Sequence, residues 1–344
     1  MGDRGLVVVT GASGFVGKWL VLLLLRGGYR VRGTVRSHAK AEDVRTVALR
    51  EVGEDDAARL ETVEADLLKD DGWAGVFAGA AAVMHTASVL PASDPQDPDD
   101  VIKPAVEGTA RILRFSRDAA VRRVICTSSI AAIGYGHGQT DGVRTYDETS
   151  FTDLDGLTPP WSYGIAKTRA EQTAWAWAKG NGTALTTIHP STILGPALDR
   201  DTSVSLLAIS SLLRGMTPAL PRWGSSFVDV RDVAAMHVAA LEKPRTIGKR
   251  YLAAGRYLTL KQIADILRAA YPRKRLPKHE LPDWLIRIVA RLSPLVRPIV
   301  YDLGHEKHYD GSRGEQLLGR PYIAAEDAVL SAAESLIRLR IVKS

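Results

Sequence analysis

The segment that most constrains this chain of 344 residues lies near its start. An apolar run, Leu6-Val7-Val8-Val9-Thr10, opens directly into Gly11-Ala12-Ser13-Gly14-Phe15-Val16-Gly17 and then into a helical pattern from Lys18 to Arg26. An apolar run this short, closed by a glycine turn, reads as a strand buried on both faces of a parallel sheet. Glycines at 11, 14 and 17 permit a tight turn, close approach of the backbone to a ligand, and close packing of helix on strand. The helix that follows offers free N–H groups and the positive end of its dipole to a phosphate. Strand, loop and helix in this order predict a dinucleotide site in which Gly11, Ser13, Gly14, Phe15, Val16 and Gly17 touch the cofactor.

The next segments extend that beginning. Strands are predicted over 30–36, 61–65, 81–85, 123–128 and 184–189, with helices over 101–119 and 163–179. Such alternation predicts an α/β, Rossmann-type doubly wound parallel sheet with right-handed crossovers. Beyond Pro190 the texture becomes shorter and proline-punctuated, at Pro196, Pro218, Pro221, Pro244, Pro272, Pro277, Pro282, Pro294 and Pro298. The expected division is a dinucleotide-binding domain over 1–190 and a smaller C-terminal substrate-binding lobe over 191–344. Strands expected at 227–230 and 249–253, within the stretch 226–254, are placed back in the first sheet.

Composition narrows the function. With 45% apolar and 24% charged residues the chain has ordinary globular proportions. A single cysteine, Cys126, excludes an internal disulfide and a Cys-rich metal centre, so no metal site and a reducing compartment are expected. No uncharged apolar run reaches the roughly 18 residues of a membrane span. The short run after Gly5 does not make a cleavable leader, so a cytoplasmic protein is expected. The net charge of +6 is uneven: residues 244–344 hold 19 Lys+Arg and 10 Asp+Glu, a balance of +9, against −3 for the rest. The densest basic cluster, Arg273-Lys274-Arg275 with Lys278, is short and bracketed by Pro272 and Pro277, which predicts a solvated loop. It lacks the aromatic-interleaved stripe of a nucleic-acid reader, so no nucleic-acid partner is expected. Trp284, Leu285, Ile288, Val289 and Leu292 recur at helical spacing beside Arg287 and Arg291. A lobe helix packed on the first domain is expected there, with membrane-surface contact as the alternative.

The second strand selects the dinucleotide. An NAD site holds an acid about 20 residues after the glycine loop, on the ribose 2′-hydroxyl. Here Thr34-Val35-Arg36-Ser37 carries none, and Arg36 stands 19 residues after Gly17. A guanidinium takes a 2′-phosphate through paired charged hydrogen bonds, so NADP(H) is expected, with Lys40 as a candidate second phosphate ligand. In Asp66-Leu67 the carboxylate can accept from the adenine amino group or cap a helix. The small residues Thr86, Ala87 and Ser88 after His85 suit a backbone that touches the cofactor, while His85 itself is expected to pack at the strand end.

Chemistry is expected around Tyr163-Gly164-Ile165-Ala166-Lys167, whose spacing of four puts phenol and ammonium on one helix face. A free phenol titrates near about 10, and a neighbouring ammonium favours its ionised form. Thr127-Ser128-Ser129 falls at the carboxyl end of the fifth predicted strand, where such sheets place ligands. Thr127 is a candidate cofactor contact, and either serine could donate to a reacting carbonyl oxygen.

Taken together, residues 10–17, Arg36, Asp66-Leu67, Ser128-Ser129 and Tyr163-x-x-x-Lys167 resemble the extended short-chain dehydrogenase/reductase superfamily, the NAD-dependent epimerases and dehydratases. Within it the likeness is to the dihydroflavonol 4-reductase / cinnamoyl-CoA reductase branch. Val31-Arg32-Gly33-Thr34-Val35-Arg36, the stretches 101–108 and 146–150, Ala170-Glu171-Gln172 and the stretch 227–233 add to it, over residues 5–255. The resemblance implies that Ser129 is the catalytic serine, that Tyr163 is the acid/base, and that Lys167 supports it and contacts the nicotinamide ribose. It also implies that Pro190 and Ile193 line the nicotinamide pocket.

The chain departs from the plant enzymes at three places. Gly134 stands where the flavonoid enzymes carry a substrate-reading Asn or Asp, and the stretch 160–167 replaces the Asn-Trp-Tyr-Cys-Tyr-Ala-Lys signature of cinnamoyl-CoA reductases. Asp43 falls where an ungapped match puts the second basic residue. The expectation is therefore an NADPH-dependent reductase of a small ketone or aldehyde, reversible as alcohol oxidation, with a homodimer compatible with the resemblance. Alternatives are a nucleotide-sugar epimerase/dehydratase or hydroxysteroid dehydrogenase, which resemble the acid-bearing NAD pattern, and a non-catalytic dinucleotide sensor, a type that loses the Tyr and Lys kept here.

Overall fold

The five residues of β1 (Leu6–Thr10) are all buried, and their side chains alternate between two cores. Val7 and Val9 pack with Leu20, Leu24 and Val31, while Val8 packs on the opposite face with Trp73, Phe77 and Ile112. That is the period of two expected of a strand covered on both sides. The computed structural model describes residues 4–88, 95, 97–138, 143–158, 160–201, 203–217, 219–292 and 297–343; Pro218 and Pro294 lie outside the described residues.

The first part of the chain alternates strand and helix. After β1 come α1 (Phe15–Arg26), β2 (Arg30–Val35), α2 (His38–Val52), the single turn α3 (Glu54–Ala57), β3 (Leu60–Glu64), α4 (Trp73–Phe77) and β4 (Ala80–His85). Then follow α5 (Asp99–Asp118), β5 (Arg123–Thr127), β6 (Val143–Tyr146), α6 (Ser162–Asn181) and β7 (Ala184–Pro190). A seven-stranded sheet has the order β11-β7-β5-β4-β1-β2-β3, where β11 is Lys249–Ala253, and its pairings are all parallel. The order reverses between β1 and β4, so their carboxyl ends open the crevice in which such sheets bind ligands. Register places Thr10 beside His85, His85 beside Cys126, and Thr127 beside Ile188.

Beyond β7 the chain forms β8 (Thr192–Leu194), α7 (Val204–Leu213), β9 (Leu220–Pro221), β10 (Gly224–Asp229) and α8 (Val230–Glu242) before returning to the large sheet as β11. The strand expected at 227–230 does not rejoin that sheet. Residues 227–229 are the end of β10, which pairs parallel with β8 and antiparallel with β12 (Tyr257–Thr259), and Val230 already opens α8. Only 249–253 returns, as β11 beside β7. The last quarter comprises α9 (Leu260–Ala270), β13 (Glu280–Leu281), α10 (Asp283–Leu292), β14 (Glu306–Tyr309), α11 (Ser312–Leu318) and α12 (Ala325–Arg338). Helices α7, α9 and α12 enclose a second core of Leu206, Ile209, Leu212, Ile263, Leu267 and Val329, among others.

In α10 the expected apolar stripe is turned round. Ile286 and Ala290 are buried, whereas Trp284, Ile288 and Leu292 are 63%, 45% and 83% exposed. The basic residues 273–275 lie in an irregular connection, as expected. No helix of the described residues is long and apolar enough to cross a membrane.

Candidate active site

The glycine loop is shaped by contacts that exclude a side chain. Gly11 takes φ +71°, and a Cβ there would stand 2.8 Å from Ala87 Cα. A Cβ on Gly17 would run into the Gly11 carbonyl oxygen, so the helix can begin this close to the loop only with glycine. Gly14 caps α1 without any side-chain hydrogen bond, and the N–H groups of the first turn have no intrahelical partner. Thr10 ties the two sides of the crevice together: its Oγ1 accepts from Ala87 N at 3.3 Å, and its carbonyl accepts from Thr86 Oγ1 at 2.7 Å. Ser13, Phe15 and Val16 line the same loop, and Ser88 follows on the facing edge. This side-chain-free cradle ending on an uncapped helix start fits a pyrophosphate.

At the end of β2, Arg36 is exposed and makes no ion pair among the described residues. Its neighbour Ser37 caps α2 by accepting from Lys40 N. The Lys40 ammonium is already engaged, 2.8 Å from Asp201 and 3.3 Å from Asp43, and these carboxylates raise its pKa. Asp66 turns one oxygen to Leu68 N at 2.9 Å, and Leu67 packs under Gly108. The stretch 195–201 straps across α1, where buried Lys18 pairs with Asp199 at 2.6 Å and Trp19 Nε1 donates to Pro196 O at 3.1 Å. Pro190 is buried at the end of β7, and Ile193 pairs with Val228 in the β8–β10 ladder.

The chemical groups converge at the ends of β5 and α6. Ser129 has extended backbone and caps a single turn at Ile130–Ala132, its Oγ accepting from Ala131 N at 3.1 Å. The same hydroxyl lies near enough to the Tyr163 phenol to favour its ionised form. Lys167, one turn further along α6, is buried; its ammonium donates to Thr127 O at 3.2 Å and stands 6.0 Å from the centre of the Tyr163 ring. Thr127 Oγ1 is held by His237 Nε2 at 2.7 Å. Ser128 points away from Tyr163 and donates to Glu171 Oε2 at 2.9 Å. The two neighbouring serines thus have different partners. His85 is buried, hydrogen-bonded to Thr10 Oγ1 at 2.8 Å, and burial pushes its pKa down to about 3.

Electrostatics corrects one expectation. The ammonium is expected to draw the phenol down toward neutrality, but burial dominates and pushes Tyr163 up to about 12, with the nearby Ser129 hydroxyl pulling the other way. Burial also pulls Lys167 down to about 8, opposed by Cys126 and Glu171. At neutral pH this leaves a protonated phenol beside a charged ammonium, the pairing suited to giving a proton rather than taking one.

Trp161 was not singled out by sequence reasoning. It packs on Tyr163, Tyr135 and Tyr301, with ring centroids 5.6, 4.7 and 5.5 Å away. Gly164 makes room for it, since a Cβ there would come within 2.6 Å of the Trp161 ring. Gly134 likewise lies against Tyr309, whose hydroxyl would be 2.6 Å from an added Cβ, so β14 fills the space a longer side chain would need.

A family model described as the NAD dependent epimerase/dehydratase family matches residues 7–254. Cinnamoyl-CoA reductase 1 of Petunia hybrida is 38% identical over 273 residues, 79% of each chain. Dihydroflavonol 4-reductase of Zea mays is 33% identical over 282 residues, 80% of this chain and 77% of that one. Among solved structures, yeast methylglyoxal/isovaleraldehyde reductase complexed with NADPH superimposes with a TM-score of 0.81 at 26% identity, covering 97% of this chain and 99% of its own.

Proposed function

Because this chain belongs to the NAD-dependent epimerase/dehydratase family, we propose that it is an NADPH-dependent carbonyl reductase acting on a ketone or aldehyde, reversible as alcohol oxidation. The observation that carries this reading is the buried Lys167 one turn along α6 from Tyr163, its ammonium on the Thr127 carbonyl beside Ser128-Ser129, at the same end of the sheet as the glycine loop. The three similar proteins are all named reductases, and the superimposed yeast enzyme is complexed with NADPH, which supports the reaction class and the cofactor.

Residues 11–17 would hold the pyrophosphate, with Thr86, Ala87, Ser88 and Thr127 along the crevice. Asp66 and Leu67 would bound the adenine, Arg36 would take the 2′-phosphate, and Pro190 and Ile193 would flank the nicotinamide. When bound, NADPH supplies the hydride. Tyr163, protonated at neutral pH, gives its proton to the carbonyl oxygen as that oxygen gains electrons. The Ser129 hydroxyl donates to the same oxygen, and the Lys167 charge stabilises the phenolate left behind. The absence of an acid at the end of β2, with the exposed guanidinium of Arg36 in its place, supports NADPH over NADH.

A panel of ketones and aldehydes with NADPH tests the proposal. NADPH oxidation matched by alcohol formation is the expected result. Turnover of nucleotide sugars without net cofactor consumption would replace it with an epimerase, and binding without turnover of any substrate would replace it with a sensor.

A further inference from the structure

Tyr163, Lys167 and Glu171 stand four residues apart on α6 and so share one face of the helix. The first two belong to the proposed reaction; Glu171 does not, yet it is the most heavily bonded side chain nearby. Its carboxylate is 2% exposed. It accepts from Ser128 Oγ at 2.9 Å, Trp175 Nε1 at 3.1 Å, and Arg250 Nε and Nη2 at 2.7 and 3.3 Å, and it meets His189 Nε2 at 2.8 Å. Those partners come from the residue after β5, from α6, from β11 and from β7. Arg250 reaches further, donating to the carbonyl oxygens of Glu148 and Ser150 at 2.7 Å each. Lys167 and Glu171 both line a cavity of about 30 Å³, walled also by His85, Thr109, Cys126 and Ser128. That is room for a water among several polar partners.

We infer that Glu171 is a positioning residue for the proposed centre: its negative charge keeps the Lys167 ammonium ionised, and its bond to Ser128 sets the turn that presents Ser129 to Tyr163. The inference rests on the reductase reading given above. The groups facing Lys167 are Tyr163 and Glu171 from α6, Cys126 from β5 and His85 from β4. Burial pushes the Cys126 thiol up to about 12 and His85 down to about 3, so both are uncharged at neutral pH. Glu171 is then the fixed anion. Burial opposes its ionisation, but His189 and Arg250 outweigh that and hold the carboxyl below the usual carboxylate range.

The test is the pH dependence of kcat for carbonyl reduction by the holoenzyme. The expected alkaline limb of the unaltered protein lies near 8, where Lys167 loses its proton. Glu171→Gln removes the anion and should move that limb down by roughly one unit. Arg250→Gln removes the cation that offsets it and should move the limb up. General loosening of the core does not shift a limb in opposite directions for two members of one cluster. Breaking a buried pair is strongly destabilising, so Ser128→Ala accompanies them, leaving Glu171 paired with Arg250 and His189. It should lower kcat roughly tenfold through misplacement of Ser129, at unchanged NADPH KM and unchanged limb. Limbs that stay in place in the charge variants, or an unchanged kcat in Ser128→Ala, would overturn the role of Glu171. Full carbonyl reduction by Tyr163→Phe would instead overturn the reading on which it rests.

Discussion

Replacing Arg36 with alanine isolates the contact that separates the two nicotinamide cofactors. Arg36 sits at the end of β2, exposed and without an ion pair among the described residues, so its removal orphans no buried partner. The protein should unfold at the same temperature as before. Hydrogen bonds to charged groups contribute about 1.5–3 kcal/mol, and solvent exposure puts this one at the lower end, about 1.5–2 kcal/mol. At about 1.4 kcal/mol per tenfold, NADPH should bind roughly 10–30-fold more weakly. NADH carries no 2′-phosphate and should change less than about twofold by the same conversion. Lys40→Ala should cost NADPH far less, because Asp201 and Asp43 already engage that ammonium. Isothermal titration of the purified variants with each cofactor measures all of these. Equal losses for NADPH and NADH, or none for NADPH, would refute the placement of the phosphate at Arg36.

Other consequences are as direct. Ser129→Ala should lower turnover by about 10²-fold or more, well beyond the effect of Ser128→Ala, in steady-state assays with saturating NADPH; the reverse order would put the catalytic hydroxyl one residue earlier. Gly17→Ala, whose Cβ meets the Gly11 carbonyl oxygen, should weaken NADPH and NADH alike in the same titrations. Burial sets Lys167 near 8, so its ammonium is present below that pH and lost above it, while Tyr163 near 12 stays protonated. Carbonyl reduction should therefore decline as pH rises through about 8, while alcohol oxidation, which needs the tyrosine to accept a proton, should gain only on approach to about 12; rate profiles in both directions check the sign.

Much of the large parallel sheet was legible because its strands are buried on both faces and run into glycine turns or helix starts. Leu6–Thr10 and Lys249–Ala253 coincide with the segments read from the sequence. Helix α1 starts at Phe15 rather than Lys18, because Gly14 caps it without the Ser, Thr, Asp or Asn that marks a helix start. The 227–230 segment was recognisable as a strand, but its partners were not. Val228 pairs with Ile193, and the apolar pattern of one strand does not say which sheet will receive it. The β6–β14 pairing was invisible for a related reason: Val143–Tyr146 and Glu306–Tyr309 are short, polar and far apart in the chain. Among the candidate site residues, Tyr163, Lys167, Ser128 and Ser129 lie in local motifs, so the sequence alone could single them out. Glu171 was visible as a letter beside Ala170 and Gln172, but its meaning depends on Ser128, His189 and Arg250, which three different strands deliver. Burial set the direction of the Tyr163 shift, and the spacing of four from Lys167 carries no information about burial.

The central claim is carbonyl reduction by NADPH with Tyr163 as proton donor, and one comparison tests it most directly: alcohol formed per NADPH consumed, measured for the unaltered protein and for Tyr163→Phe. The phenylalanine keeps the ring against Trp161 and deletes only the phenolic hydroxyl. The unaltered protein should form one alcohol per NADPH. The variant should be slower by about 10²–10⁴-fold, with NADPH affinity barely changed because the proposed phosphate grip is at residues 11–17 and Arg36, away from the ring. Near-normal carbonyl reduction by Tyr163→Phe would contradict the mechanism.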